Sequence, residues 1–185
     1  MALTPSNMLA LGTAAPSFSL PDTVSGKKMS LEDIQGENGT LVMFICNHCP
    51  YVIHLNEELV RLANDYSEKG IGIVAISSND VENYPQDGPA KMKIHAAETG
   101  YPFPYLYDAS QEVAKAYDAA CTPDFYAFDR AGNLAYRGRL DESRPGNNAP
   151  LTGNDLRAAL DAILAGKTPE SKQYPSMGCN IKWKK

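Results

Sequence analysis

Thr40–Val52, TLVMFICNHCPYV, is an apolar run that ends in two cysteines three positions apart. Leu41 to Ile45 are consecutively apolar and of types that pack on a sheet, so they read as a buried strand. From there the apolar residues recur at Val52, Leu55, Leu59, Leu62 and Tyr66, spacings that put them on one face of a helix. Asn47 is a good N-cap, and Pro50 is tolerated only in the first helical turn, whose amides lack intrahelical partners. The helix is therefore expected to begin between Cys46 and Pro50. At such a helix start, amides and the positive end of the helix dipole converge on both sulfurs and favour thiolate. Two cysteines so spaced can close a small disulfide ring with little rearrangement, the geometry of reversible dithiol chemistry. His48 between them adds partial positive charge and is expected to stabilise the thiolate further. Two ligands of a metal site, or two small buried residues, are the competing readings. The position between strand and helix favours redox chemistry.

Outward from this stretch, Gly70 stops the helix and Ile71–Ile76 is a second apolar run, so a βαβ unit with parallel neighbours is expected. On the N-terminal side, residues 1–14 have weak pattern and read as an irregular arm. Ala15–Asp22 reads as a short strand bounded by prolines, Ser25–Gly26 as a turn, and Ser30–Ile34 as a capped helical turn ended by Gly36. Beyond the unit, Pro89–Thr99 reads as a helix and Pro102–Asp108 as a proline-interrupted edge strand. Ser110 is expected to cap a helix through Val113, Ala114 and Tyr117. Cys121–Arg137 reads as a hairpin turning at Asp129–Asn133, and Thr152 as the cap of a helix carrying Leu156, Leu160, Ile163 and Leu164.

A length of 185 residues with 43% hydrophobic and 21% charged content suits one globular domain, expected over 15–166, with a C-terminal tail over 167–185 packed on or near it. The net charge of −5, with no basic stripe beyond Lys182–Lys185, argues against a nucleic-acid partner. No apolar run approaches the roughly 18 residues of a membrane span, and Met8–Leu11 is too short for a signal-sequence core. The expected location is cytoplasmic, where four cysteines are thiols or reactive partners rather than structural staples.

The order βαβ, helix, hairpin opening at Thr122–Pro123, and final helix is similar to the thioredoxin fold. Ala15–Asp22, the Cys46/Cys49 site, Pro102–Pro104 and Phe125–Gly132 together resemble the peroxiredoxin branch known as the alkyl hydroperoxide reductase and thiol-specific antioxidant (AhpC/TSA) group. Cys46–Val52 and Gly178–Lys184 resemble a little-characterised thioredoxin-like subgroup of it. The resemblance implies a three-layer α/β/α fold with a central mixed sheet flanked by helices. It also implies a cis proline at Pro123, packed beside the cysteines, with the Thr122 backbone offered to an extended substrate. Site residues on this basis are Cys46, Cys49, His48 and Pro123 for catalysis and Thr122 and Pro123 for substrate, with no cofactor.

The departures direct the chemistry. Peroxiredoxins carry Pro-x-x-x-Thr-x-x-Cys; aligned on Cys49, the threonine position holds Cys46 and the proline position Val42. The buried acid of thioredoxins is replaced by Thr40. His48 matches the residue before the second cysteine in Cys-Pro-His-Cys disulfide oxidases, with Asn47 in place of their proline. The leading expectation is a thiol–disulfide oxidoreductase with Cys46 attacking, acting on a disulfide-containing protein and recharged by a cellular thiol reductant. An antioxidant peroxide reductase with Cys49 attacking is the alternative. The non-enzymatic reading is a soft-metal protein binding copper or zinc through Cys46, Cys49 and His48 or His54. Cys121, two residues before Pro123, is either near the pair or simply buried. Cys179 reads as a covered thiol, the alternative being a C-terminal resolving cysteine of the kind some peroxiredoxins use; His54 reads as a helix-face residue, and His95 carries no motif.

Overall fold

The computed structural model describes residues 3–185. In chain order the elements are β1 (Leu3–Pro5), β2 (Ser19–Pro21), β3 (Lys28–Ser30), α1 (Leu31–Ile34), β4 (Gly39–Phe44), α2 (Pro50–Ser67), β5 (Ile71–Ser77), α3 (Pro89–Thr99), β6 (Tyr105–Tyr107), α4 (Glu112–Ala116), β7 (Cys121–Thr122), β8 (Asp124–Phe128), β9 (Leu134–Gly138), α5 (Asn154–Leu164) and β10 (Met177–Asn180). A five-stranded sheet runs β6-β5-β4-β8-β9. It is mixed: β4 pairs in parallel with β5 across the helical crossover and antiparallel with β8, which in turn forms a hairpin with β9.

Alternation along β4 separates two cores, as the period-2 geometry of a strand demands. Leu41 and Met43 pack with Val52, Leu55, Leu59 and Leu62 of α2, Met92 of α3 and Leu156 and Leu160 of α5. Val42 and Phe44 face the other way, onto Leu31 and Ile34 of α1, Val113 and Tyr117 of α4, and Phe18. The result is the expected three-layer α/β/α arrangement with thioredoxin-like topology. Leu59 and Leu62 are almost wholly removed from water, contributing about 1.5–3 kcal/mol each.

Local chemistry explains the boundaries. Ser30 and Asp33 form a reciprocal capping box at α1, as their spacing implies. Two other caps differ from expectation. The N-cap of α4 is Gln111, not Ser110, whose hydroxyl instead accepts from the Glu112 amide. The N-cap of α5 is Gly153, not Thr152, because the Asp141 carboxylate already accepts from both the Thr152 and Gly153 amides.

The larger correction concerns the ends of the chain. The arm expected to be irregular contains β1, while Met1 and Ala2 lie outside the described residues. β1 pairs antiparallel with β10, and β10 with β7, making a separate three-stranded sheet. Side chains fasten it: Ser176 Oγ donates to the Pro123 carbonyl at 2.6 Å, and Ser6 Oγ to the buried Asp124 carboxylate at 2.7 Å. Among the described residues no helix is long and apolar enough to cross a membrane.

Candidate active site

β4 ends at Phe44 in the middle of the sheet, and the chain passes through Ile45, whose amide still donates to the Ile76 carbonyl at 3.0 Å, before releasing Cys46. The N-cap of α2 is Cys49 rather than Asn47. Asn47 is occupied elsewhere: its amide donates to Asp87 Oδ1 at 2.9 Å, its Nδ2 to the Gln86 carbonyl at 2.9 Å, and its Oδ1 accepts from the Tyr105 hydroxyl at 3.0 Å. The helix therefore starts later, at Pro50, whose lack of an N–H costs nothing in the first turn. Cys49 stands at the positive end of the helix, where the first-turn amides have no helical partner.

The sulfurs gather around Thr122. Cys46 Sγ lies 3.4 Å from Thr122 Oγ1, and Cys49 Sγ 3.2 Å from the Thr122 carbonyl oxygen, the acceptor available to its thiol form. Cys179 Sγ lies 2.9 Å from Cys49 Sγ, outside the bonding distance of about 2.05 Å, and the cysteines are free thiols. The Thr122–Pro123 bond is cis, as the resemblance implies. Cys46 and Cys49 are only 1% and 0% exposed.

Their ionisation is unequal. The Cys46 thiol beside it, the Cys179 side chain and the amides of Cys179 and Val52 hold Cys49 down to about 5 against the opposing cost of burial. Cys46 is pushed well above the ordinary thiol range, first by its interaction with Cys49, then by burial and the negative charge of Asp87. Burial and then Cys49 push Cys179 up to about 12. Cys49, rather than Cys46, holds the helix start, and its surroundings favour the thiolate while those of Cys46 favour the thiol.

His48 is brought to the site but not in the expected way. Its Nδ1 is 2.6 Å from Asp87 Oδ2 and 4.0 Å from Cys46 Sγ, and its ring stacks on Tyr84 at 5.7 Å. It faces Cys46 rather than the thiolate, and its nearest polar contact is a buried carboxylate. Cys46, His48 and Asp87 present ligand atoms within 4.8 Å of one another, a donor set zinc accepts. Yet Nδ1 and the carboxylate are already spent on each other. His48 Nε2 is buried and meets no hydrogen-bond partner among the described residues, so the outer support that metal-ligating imidazoles use is missing. His54 is turned to Ser143 Oγ at 2.8 Å. We assign no metal centre here.

Thr122 lies against the sulfurs and Pro123 follows it, but β10 occupies the Thr122 edge, with Cys179 opposite Thr122. Only glycine fits beside that pairing, since a Cβ on Gly178 would lie 2.0 Å from the Thr122 carbonyl oxygen. Gly178→Ala is therefore expected to lift β10 and speed labelling of the site thiols by about tenfold or more, the factor that about 1.4 kcal/mol of lost docking corresponds to. Labelling with a bulky aromatic disulfide measures it.

Cys121 is buried, its Sγ 3.7 Å from the Pro123 carbonyl, and burial raises it out of reach of ionisation. Sequence reasoning missed Asp87, which sits in polar loop sequence with no motif. It also ranked Cys179 as a covered thiol ahead of a resolving one, although the adjacent Gly178 is a sign of close backbone approach.

A family model described as the AhpC/TSA family matches residues 11–137. Among solved structures, an uncharacterized conserved protein from Geobacillus kaustophilus is 59% identical, with a TM-score of 0.98 over 100% of this chain and 97% of that one. A hypothetical protein from Sinorhizobium meliloti 1021 is 48% identical, with a TM-score of 0.95 over 98% of each chain. The thioredoxin domain of a thiol-disulfide oxidoreductase from Bacteroides vulgatus, at 23% identity and a TM-score of 0.59 over 74% of this chain and 90% of that one, shares the fold. No curated protein matches. A helix capped by a cysteine, a cis Thr122–Pro123 bond whose Thr122 carbonyl meets that cysteine, and a family match from residue 11 to 137 lead to one assignment: the chain belongs to the AhpC/TSA family and has the thioredoxin-like fold.

Proposed function

We propose that the protein is a thiol–disulfide oxidoreductase of the thioredoxin/redoxin type, working through the Cys46/Cys49 dithiol of the Cys-Asn-His-Cys-Pro-Tyr-Val site. One observation carries this reading: a thiolate-favouring Cys49 at a helix start with the Cys46 thiol beside it and the Cys179 thiol 2.9 Å away. Cys49 thiolate attacks one sulfur of a substrate disulfide, and the other sulfur leaves as a thiolate that takes a proton from solvent. Cys46 then attacks Cys49 Sγ, its proton passing to the second leaving sulfur. Two electrons have moved to the substrate, and the protein holds a Cys46–Cys49 bond. Cys179 is the second thiol within reach of the same step. A cellular thiol reductant restores the dithiol, in a cytoplasmic setting that keeps thiols reduced. The net charge of −5 gives nucleic acid no part in the reaction.

A second reading has support from burial. With both sulfurs at 1% exposure or less and β10 on the Thr122 edge, a hydroperoxide reaches Cys49 more readily than a protein disulfide does. Cys49 would then attack the peroxide oxygen, expel water or an alcohol, and condense as a sulfenic acid with Cys46, releasing water. Parallel assays of disulfide reduction and hydroperoxide consumption, with the same reductant, separate the two. Faster disulfide turnover upholds the first reading, and hydroperoxide turnover alone replaces it with the second.

A further inference from the structure

Asp87 belongs to the short turn of 3-10 helix Pro85–Asp87 and is 0% exposed. Its carboxylate is gripped by the loop that carries the dithiol: Oδ1 accepts from the Asn47 amide at 2.9 Å, and Oδ2 lies 2.6 Å from His48 Nδ1. Asn79, just beyond β5, donates Nδ2 to the same Oδ2 at 2.8 Å. The carboxylate thus has three polar contacts, and its oxygen, His48 Nδ1 and Cys46 Sγ lie within 4.8 Å of one another. We propose that Asp87 is a positioning residue that holds His48 off Cys46 and helps to keep Cys46 in its thiol form.

The argument is geometric first. Nδ1 of His48 carries at most one hydrogen, and the carboxylate at 2.6 Å takes it in preference to the sulfur at 4.0 Å. Cys46 therefore gains little from the imidazole and feels the carboxylate behind it, next to which a second buried negative charge is unfavourable. The same direction is seen in the upward displacement of Cys46, to which the Asp87 charge contributes. Other ionisable groups around the cluster do not reverse this. The Tyr101 and Tyr105 hydroxyls are pushed up by burial and stay neutral, and burial lowers His95, keeping it uncharged. The Lys182 ammonium donates to the Asn180 carbonyl at 2.6 Å and to Asn180 Oδ1 at 3.1 Å.

The proposal rests on the dithiol reading above, but its test does not need turnover. Carbon-13 labelled cysteine, followed by NMR across pH in the full chain, reports each sulfur separately. In Asp87→Asn, Cys46 is expected to become at least about tenfold more acidic, one unit on the pH axis. Asp87→Glu, which restores the charge, is expected to return Cys46 toward its original value. Cys46 acidity unchanged in Asp87→Asn would overturn the proposal. If Asp87→Asn does not fold, His48→Phe keeps the ring on Tyr84 and removes the donor that shares the carboxylate. Cys46 is then expected to become less acidic, and a more acidic Cys46 would overturn the proposal. A shifted titration in a protein with no disulfide reductase activity would uphold the role of Asp87 and count against the oxidoreductase reading instead.

Discussion

Cys49→Ser is expected to remove disulfide reduction almost entirely, by a factor on the order of 10⁴ or more, as for the loss of any sole nucleophile. The serine fills nearly the same volume beside Thr122 and Cys179, so the fold is expected to survive and the loss to be chemical. Steady-state reduction of a small disulfide measures it, with circular dichroism as the folding check. Retained turnover would return the attacking role to Cys46. The expectation follows from the cap: Cys49 lies at the start of α2, while Cys46 lies two residues beyond the last residue of β4, near Asp87.

The second large effect concerns the step after attack. Cys46→Ser alone leaves Cys179 at 2.9 Å from Cys49, so turnover is expected to slow but continue through a Cys49–Cys179 bond. Removing both, as Cys46→Ser with Cys179→Ser, leaves no thiol to resolve the intermediate, since Cys121 is buried and held at Pro123. The double variant is expected to react once, release a single equivalent of substrate thiol, and stall as a mixed disulfide on Cys49. Intact-protein mass spectrometry reads the stalled adduct directly. Sustained turnover in the double variant would require an external thiol to resolve Cys49 and would remove the dithiol from the mechanism.

The parts of this architecture legible in the sequence are those written in local periodicity. Leu41–Ile45, Ile71–Ile76 and the Val52–Tyr66 stripe announce β4, β5 and α2 because burial on both faces or on one helical face leaves a pattern within a few residues. The strand–helix junction that places Cys46 and Cys49 follows from the same patterns. What was not legible depends on groups distant in sequence. Asn47 is a good cap in isolation and is diverted only because Asp87 comes to its amide across 40 positions. Thr152 loses its capping role to Asp141, and Ser110 to Gln111, for which the local sequence gives no sign. β1 and β10 are short and mixed in polarity, so nothing marks them as strands until they pair with each other and with β7. That pairing covers the Thr122 edge and brings Cys179 to Cys49 across 130 positions, so the covered tail thiol proves to be a neighbour of Cys49.

The account turns on which sulfur is ionised, and the ultraviolet absorbance of thiolate, titrated in the reduced protein, tests it most directly. The downward displacement of Cys49 means that the folded protein releases this proton before the unfolded chain does. Its contribution to stability is full above the ordinary thiol value of 9.0 and is lost as pH falls through the folded value of about 5. One thiolate is therefore expected to appear with a midpoint near pH 5, to persist in Cys121→Ser and to vanish in Cys49→Ser. A low-pH transition that survives Cys49→Ser and is lost in Cys46→Ser would contradict the account and make Cys46 the nucleophile.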